Sequence, residues 1–526
     1  MKTLAFGLAV AVAALTGMYG FTPHQPAHQS PPNILFILTD DLDAAEVAYM
    51  PRVKALLADQ GVTFSNYFVS VSLCCPSRST TLRGQYSHNT GVRTNGGGNG
   101  GFELAYASGL EKSTIATWLQ AAGYRTALYG KYLNGYPATA PVRYVPPGWT
   151  DWASSVAGNA YSEYNYTLNE NGRAARYGAL PSDYGTDVYA GKAAAFIRKS
   201  SADGKPFFVY LAVYAPHGPA TPAPRHATLF ADARAPRSPS FDEEDVSDKP
   251  AYIRDRPRIG RRAQNVIDPL YRKRLQSLQA VDEAVALLVD TLRATGQLKN
   301  TFIVFASDNG FHLGQHRLVT GKQTAYEEDI RVPLIVRGPG VPAGRTVSQM
   351  AGNVDLAPTF ADIGGTAPPA FVDGRSLVAL LRGSLPPAAP WRQAYLIEHW
   401  TQQRALPGDS LREPFDADQT ELNPPRRALR GRAARARFGG RRVQVTAPNA
   451  IPEFHALRTA RYTYVEYVTG ERELYDIVRD PFELDNLVAT TSKALLDALS
   501  GQLHEMVTCA AVTCRTVETR RVDGAR

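Results

Sequence analysis

The stretch NILFILTDD, Asn33–Asp41, decides the architecture. Residues Ile34 to Leu38 are apolar without a break, and two acids follow at Asp40 and Asp41. An unbroken apolar run of this length fits a strand covered on both faces, as in the parallel sheets of α/β proteins. The segments beyond it keep that pattern. MPRVKALLADQG has helical spacing with a glycine stop, and TFSNYFVS reads as a second strand leading into CCPSR. STIATWLQAAGYRTALYGKYL reads as helix, glycine, strand and loop. DYGTDVYAGKAAAFIRKS is an amphipathic helix, and PFFVYLAVYAPHGP is a strand running into a histidine-containing loop. LYRKRLQSLQAVDEAVALLVDTLRATGQL is a long helix, and NTFIVFASDNGFH is another apolar strand ending in polar groups. PLIVRGPG and a helix near VDLAPTFADIGG follow. Strands alternating with helices predict an α/β fold with a large, mostly parallel sheet flanked by helices. Ligands of such sheets sit beyond the C-terminal strand ends, where Asp40, Asp41, His217, Asp308 and Asn309 all fall.

At 526 residues the chain exceeds the size of a single simple core, so a large domain with a smaller companion is expected. A hydrophobic content of 44% with 20% charged residues excludes a disordered chain. The opening MKTLAFGLAVAVAALTGMYGF places one lysine before an apolar run and is followed by the loop-like TPHQPAHQSPP. Residues 1–24 therefore read as a secretory signal peptide rather than an uncleaved anchor, since no basic stop-transfer cluster follows. This predicts a secreted or periplasmic protein with no stable membrane insertion. The net charge of +8 is mild for this length and suits an anionic substrate. PPRRALRGRAARARFGGRR, Pro424–Arg442, reads as an Arg-rich surface insertion, with a docking patch for a polyanion as the alternative; no nucleic-acid motif accompanies it. Beyond residue 389 the pattern changes. HALRTARYTYVEYVTGERELYDIVRDPFELDNL alternates like strands joined by a turn at Thr469-Gly470, and a helix runs through SKALLDALSGQLHEMV. The expected division is a catalytic domain over residues 32–388 and a C-terminal subdomain over residues 389–526, built as a small antiparallel sheet with a helix.

The chain has four cysteines. Cys509 and Cys514, in TCAAVTCR, suit a small local disulfide in an exported protein. Cys74 and Cys75, in LCCPSRSTTLRG, are harder to assign. A disulfide between neighbours is strained, and a zinc site would need further Cys or His at short spacing. The acids point elsewhere. Asp40, Asp41, Asp308 and Asn309 are oxygen donors at strand ends, and carboxylates crowd together only around a cation. Hard oxygen ligands favour Ca²⁺ or Mg²⁺. Arg78, Lys131, His217 and Lys322 fall in loops after strands or at helix starts and suit a pocket for a tetrahedral oxyanion. A plain thiolate is soft, poorly matched to a hard metal, and oxidisable outside the cell.

Cys74-Cys75-Pro76-Ser77-Arg78, with Leu82 and Gly84 downstream, resembles the C-x-P-S-R…L-x-G signature of the type I sulfatases. GYRTALYGKYLNGY, YNYTLNENG, APHGP, SDNGFHLGQHRL, YEEDIRVPLIVRGPG and ELYDIVRDPFELDNL extend the resemblance over nearly the whole chain after residue 32. CCPSRS followed by GKYLN is similar to the N-acetylglucosamine-6-sulfatase and heparan endosulfatase branch. The resemblance implies an alkaline-phosphatase-like sandwich and conversion of Cys74 to Cα-formylglycine by a formylglycine-generating enzyme. The hydrated aldehyde would attack sulfur, and its second hydroxyl would then expel sulfate, a step an ordinary serine cannot perform. It further implies Asp40, Asp41, Asp308, Asn309 and the modified Cys74 as ligands of one Ca²⁺. Arg78 would steady the diol, Lys131 and Lys322 would bind sulfate oxygens, and His217 would bind sulfate or protonate the leaving oxygen. Many family members carry His two residues after the first lysine, where this chain has Leu133. The base for the elimination step is then open among Asp308, His312 and His316, the two histidines also being candidates for the substrate wall or its support. Asn134 is a further candidate substrate contact.

The expected function is hydrolysis of sulfate esters of sugars or aryl alcohols. The rival on the same fold is a phosphomonoesterase or phosphonate monoester hydrolase. The other rival is a non-catalytic protein that binds sulfated glycans with an unmodified Cys74.

Overall fold

The apolar run forms strand β1 (Asn33–Asp40), and every residue in it is buried. The computed structural model describes residues 31–386, 388–403 and 450–522, together with the backbone of Arg435–Phe438 and Arg441–Gln444, which pair as an antiparallel ribbon. The signal-peptide reading of residues 1–24 and most of the Arg-rich stretch 424–442 lie outside the described residues.

The main sheet continues through β2 (Val62–Phe64), β3 (Arg125–Gly130), β4 (Asp151–Gly158), β5 (Tyr166–Glu170) and β6 (Arg173–Arg176). It is completed by β7 (Phe207–Pro216), β8 (Thr301–Ser307), β9 (Leu334–Arg337) and β10 (Arg345–Val347). Among the described residues the strand order is β10-β2-β9-β8-β1-β7-β3-β4-β5-β6. The central strands β8, β1, β7, β3 and β4 run parallel, while β9 joins β8, and β5 joins β4, antiparallel. The C-terminal ends of β1, β7, β8 and β3 therefore open on the same edge, which is where the polar clusters were expected.

The unbroken apolar pattern of β1 follows from two covered faces. Ile34, Phe36 and Leu38 face one core with Ile115 and Leu119 of α2 (Ile115–Ala121) and Phe360 of α5 (Leu356–Ile363). That face also takes Cys75 and Leu82 of α1 (Cys74–Arg83). Leu35 and Ile37 face the other core with Phe196 and Ile197 of α3 (Gly185–Ala202) and Leu278 and Val285 of α4 (Arg261–Ala294). Each such side chain contributes about 1.5–3 kcal/mol by leaving water.

Two local expectations differ. TFSNYFVS holds two short strands rather than one: β2 joins the main sheet, and Tyr67–Phe68 pairs instead with Ala351–Gly352. The long helix begins at Arg261, ahead of the expected Leu270, and carries Pro269 inside it.

The C-terminal part is a four-stranded antiparallel sheet of β11 (Ala394–His399), β12 (Phe454–Thr459), β13 (Tyr462–Tyr467) and β14 (Arg472–Asp476). Helix α6 (Lys493–Met506) lays Leu496, Leu499, Leu503 and Met506 into its core, which also takes in Phe68, Tyr86, Tyr326 and Val354 from earlier in the chain. Arg392, fully buried, donates to Asp355 at 2.8 Å and to Glu518 at 2.8 Å, tying the start of α5 to the C-terminal segment. Cys509 and Cys514 form the expected disulfide.

His88 makes a second tie. Its Nδ1 lies 2.9 Å from Glu398 Oε1 on β11, and its Nε2 lies 2.9 Å from the Cys509 carbonyl. With acceptors on both ring nitrogens the imidazolium is favoured. Burial opposes that charge, yet Glu398 outweighs it and raises the pKa to about 9. A raised folded-state pKa gives stability that is full below the unfolded value, about 6.5, and is lost as pH rises through 9. His88→Gln should therefore lower the urea unfolding midpoint more at pH 6 than at pH 10, measured against wild type at both pH values. An equal deficit at the two would contradict this ion pair.

Candidate active site

β1 ends in Thr39-Asp40, and the next residue, Asp41, takes a left-handed backbone conformation, φ 65°. Asp tolerates this region better than most residues. The turn lets the Asp41 N–H donate to Asp308 Oδ1 at 3.1 Å, so the ends of neighbouring strands β1 and β8 are joined through a carboxylate. Lys131 follows β3 directly and His217 follows β7 directly. Lys322 reaches in from the long loop after β8.

Helix α1 begins at Cys74, and all its residues are buried. Cys74 and Arg78 are four residues apart, one turn of helix, so both face the strand ends. Pro76 sits in the first turn, where its missing N–H costs little. Ser77 locks the helix: its hydroxyl donates to the Asp308 carbonyl and accepts from Asn353 Nδ2 at 2.9 Å. Gly84, φ 67°, closes the helix in the left-handed region. Thus the C-x-P-S-R spacing is a geometric unit, with one residue presented, one locking and one neutralising.

Around Cys74 the charges interleave. Lys322 Nζ donates to Asp41 Oδ1 at 2.6 Å and to Cys74 Sγ at 2.8 Å. Lys131 Nζ donates to Asp40 Oδ2 at 2.6 Å. Arg78 Nε donates to Asp308 Oδ2 at 2.8 Å and Nη1 to the Lys131 carbonyl at 3.1 Å. Its Nη2 lies 3.7 Å from Asp40 Oδ2 with no hydrogen bond. Asn309 Nδ2 donates to Asp41 Oδ1 at 2.6 Å. His217 Nε2 is 3.6 Å from Asp41 Oδ2, and its Nδ1 is 2.7 Å from the Gly218 carbonyl.

Three carboxylates and three permanent cations thus share one buried space. Burial works against the charge of Asp40, but Lys131, His217, Arg78 and Lys322 together hold its pKa well below the usual range. Asp308 goes the other way: burial and the charge of Asp40 push it up to about 6 against Arg78. Burial, reinforced by Asp40, raises the Cys74 thiol well above its ordinary value. An unmodified Cys74 would stay protonated and make a weak nucleophile. Burial also lowers the His217 pKa, despite Asp41 and Asp40. With Nδ1–H committed to the Gly218 carbonyl, the neutral ring presents Nε2 as an acceptor; it donates there only as imidazolium.

The donor set fits a hard cation. One ligand atom each from Asp40, Asp41, Cys74 and His217 lies within 4.8 Å of the others. Asn309 Oδ1 is fully buried without a hydrogen-bond partner, an oxygen that a cation would satisfy. Oxygens of Asp and Asn, rather than thiolates or imidazoles, are the match for Ca²⁺ or Mg²⁺.

The structure brings together Asp40, Asp41, Cys74, Arg78, Lys131, His217, Asp308, Asn309 and Lys322. Asn134 lies one step out, where its Nδ2 donates to the Tyr161 hydroxyl at 3.3 Å. Tyr161 was not singled out from sequence; its ring lies 4.9 Å from Lys131 Nζ and 4.5 Å from the His217 ring. Asn95 was also missed; it accepts from the Cys75 N–H at 2.9 Å. His312 is turned to Asp329, 3.0 Å from each oxygen, and His316 to Glu243 at 2.7 Å. The side-chain partners of Cys74 Sγ are Asp40 and Lys322 rather than either of these histidines. Cys75 is buried against the apolar core and lies outside any disulfide.

Comparison with known proteins gives the same direction. The family model described as sulfatase matches residues 32–366. The N-acetylglucosamine-6-sulfatase of Homo sapiens is 33% identical over 504 residues, covering 92% of this chain and 86% of the relative. An extracellular sulfatase homologue of Caenorhabditis elegans is 39% identical over 377 residues, and the chain spans only 52% of that relative's length. A solved structure bound to its substrate D-glucosamine-2-N,6-O-disulfate superposes with a TM-score of 0.70 at 24% identity, covering 91% of this chain and 97% of that one. A phosphonate monoester hydrolase of Agrobacterium radiobacter superposes at 0.62 with 20% identity over 91% of this chain and 95% of that one, so the fold is shared more widely than the reaction. With the family model spanning the strands that carry the charged cluster, and a third of the residues shared with the human enzyme across nearly the whole chain, this protein belongs to the sulfatase family.

Proposed function

We propose that the protein is a secreted sulfuric ester hydrolase acting on sulfated sugars or aryl sulfates. Cys74 is matured to Cα-formylglycine, and one Ca²⁺ is held by Asp40, Asp41, Asp308 and Asn309. The observation that carries this reading is the convergence on a single buried side chain, Cys74, of Lys322 and Asp40 at the start of a wholly buried helix, with Arg78 one turn on bound to Asp308. As a thiol, that side chain is a poor nucleophile at the centre of a site built for an anion. Maturation replaces carbon–sulfur by carbon–oxygen with loss of two electrons, so it requires an oxidant and a formylglycine-generating enzyme before the site closes. Together, the aldehyde would supply the attacking oxygen in its hydrated form and the cation would offset the negative charge of sulfate.

The chain's own residues do the rest. Lys322 touches Cys74 Sγ and Lys131 pairs with Asp40, the other partner of that sulfur; both would bind sulfate oxygens, exchanging part of their contact with Asp41 and Asp40 for the ligand. Arg78 holds Asp308 in place, and its Nη2, ion-paired to Asp40 at 3.7 Å, makes no hydrogen bond. His217 would bind sulfate through Nε2, or donate a proton there once protonated. An arriving anion favours that protonation, and general-acid help of this kind is worth roughly 10²–10⁴-fold. Asn134 and Tyr161 supply polar groups beside Lys131 that a substrate could use. The names of the human relative and of the substrate in the superposed complex favour 6-O-sulfated glucosamine as the first sugar class to assay. The relatives described as extracellular agree with export.

Matured protein should hydrolyse an aryl sulfate and release 6-O-sulfate from glucosamine, and should do so faster than it cleaves the matching aryl phosphate. A phosphate or phosphonate preference would transfer the site to the rival hydrolase class. Binding of sulfated glycan without turnover would favour the non-catalytic reading. Lys322→Ala and Lys131→Ala should each lower kcat by about 10²–10³, the scale for loss of one charge-stabilising donor. Stripping with EGTA should abolish turnover and Ca²⁺ should restore it; unchanged turnover in the stripped protein would contradict the metal assignment.

A further inference from the structure

A second cluster draws His316 and Glu328 from the stretch that also carries Lys322, and Glu483 from the segment after β14. His316, Glu328 and Glu483 each offer a ligand atom, and the three atoms lie within 4.8 Å of one another. His316 and Glu483 are each only 1% exposed. His316 Nε2 and Glu483 Oε1 are both fully buried with no hydrogen-bond partner. Two buried polar atoms left unsatisfied cost about 1–3 kcal/mol each, and one ligand held by the cluster would satisfy both.

The surroundings fix the sign of that ligand. His316 Nδ1 is 2.7 Å from Glu243 Oε2, so the ring is oriented by a carboxylate, as metal-bound imidazoles commonly are. Its face stacks on Tyr326 at 3.9 Å, which prevents the ring from turning away. The charge of Glu243 is met by Lys249 at 3.0 Å, and that of Glu327 by Arg458 at 2.7 Å and Arg331 at 2.8 Å. Among the described residues, no Lys or Arg ion pair reaches Glu328 or Glu483. Glu483 Oε2 accepts the Glu327 N–H at 2.9 Å, and Glu328 Oε1 accepts a long 3.4 Å bond from Ser240, so a cation is the ligand that would let both carboxylates ionise. Burial, with Glu327 and Glu328 adding to it, pushes Glu483 well above the usual carboxylate range. Glu328 is half-buried and provides an approach from solvent.

We infer that His316, Glu328 and Glu483 form a second metal site, for a first-row divalent cation of the zinc type, separate from the cluster at Cys74. One imidazole with two carboxylates is a nitrogen–oxygen set suited to Zn²⁺, with water as the fourth ligand. Tetrahedral zinc with bonds near 2.0–2.1 Å needs ligand atoms about 3.3 Å apart, a closure that the flexible glutamate side chains can make. The ion would staple the loop carrying Asn309 and Lys322 to the segment after β14. It would act on position, not on the reacting atoms, and it does not depend on which ester the enzyme cleaves.

The test uses the full chain without a polyhistidine tag, saturated with Ca²⁺ to occupy the first site, and dialysed against Zn²⁺ buffered by a chelator. Metal analysis should find about one zinc per chain. His316→Asn and Glu483→Gln should each lose it while retaining calcium, and zinc should raise the melting temperature of wild type alone. Should the variants not fold, cobalt-loaded wild type gives the second readout: visible d–d bands and an X-ray absorption edge fitted by one imidazole and oxygen ligands. Wild type that holds no zinc, variants that hold as much as wild type, or a cobalt spectrum without imidazole would each overturn the site.

Discussion

Charge balance in a buried space is the constraint on which the structure depends. Asp40, Asp41 and Asp308 stand at the ends of adjoining parallel strands, where each alone would raise its pKa and lose its charge. Lys131, Lys322 and Arg78 keep Asp40 ionised, while Asp308 is pushed up to about 6. The cations come from three separate places in the chain: the end of β3, the loop after β8 and helix α1. Only a sheet that brings these ends to one edge can assemble them. The two-sided core around β1 is what keeps that edge rigid.

The same constraint explains why α1 has its composition. A helix packed on all sides cannot show an apolar stripe, and Ser77, Arg78, Ser79, Thr80 and Thr81 are all buried. Some of those polar groups bind strand ends, as Ser77 binds the Asp308 carbonyl and Arg78 the Lys131 carbonyl. The helix therefore fixes Cys74 relative to two strands at once. This is a positional role that hydrophobic periodicity does not reveal.

What was legible in the sequence follows from this. The strands carrying site residues were readable because double-sided burial leaves unbroken apolar runs, and the acids and His217 stood where those runs stop. The helix at Cys74 was not readable by period, and its importance came through the resemblance of its motif. The start of α4 was misplaced because Pro269 reads as a boundary, whereas the helix carries it within. β11 was missed because its partner β12 lies beyond the Arg-rich segment, and a lone strand gives no pairing signal. Tyr161 and Asn95 gave no local signal at all; only folding brings them beside Lys131 and Cys75. His312 and His316, grouped with the substrate wall by proximity in sequence to Asp308, are oriented by Asp329 and Glu243.

The central claim is chemical: the residue encoded as Cys74 acts as a carbonyl group inside this cage of charges. Mass spectrometry of the peptide containing residue 74, from protein produced alongside a formylglycine-generating enzyme, tests it most directly. The account predicts a peptide about 18 Da lighter than the encoded one that reacts with hydroxylamine. A fully active preparation whose residue 74 is alkylated by iodoacetamide as an intact thiol would contradict it.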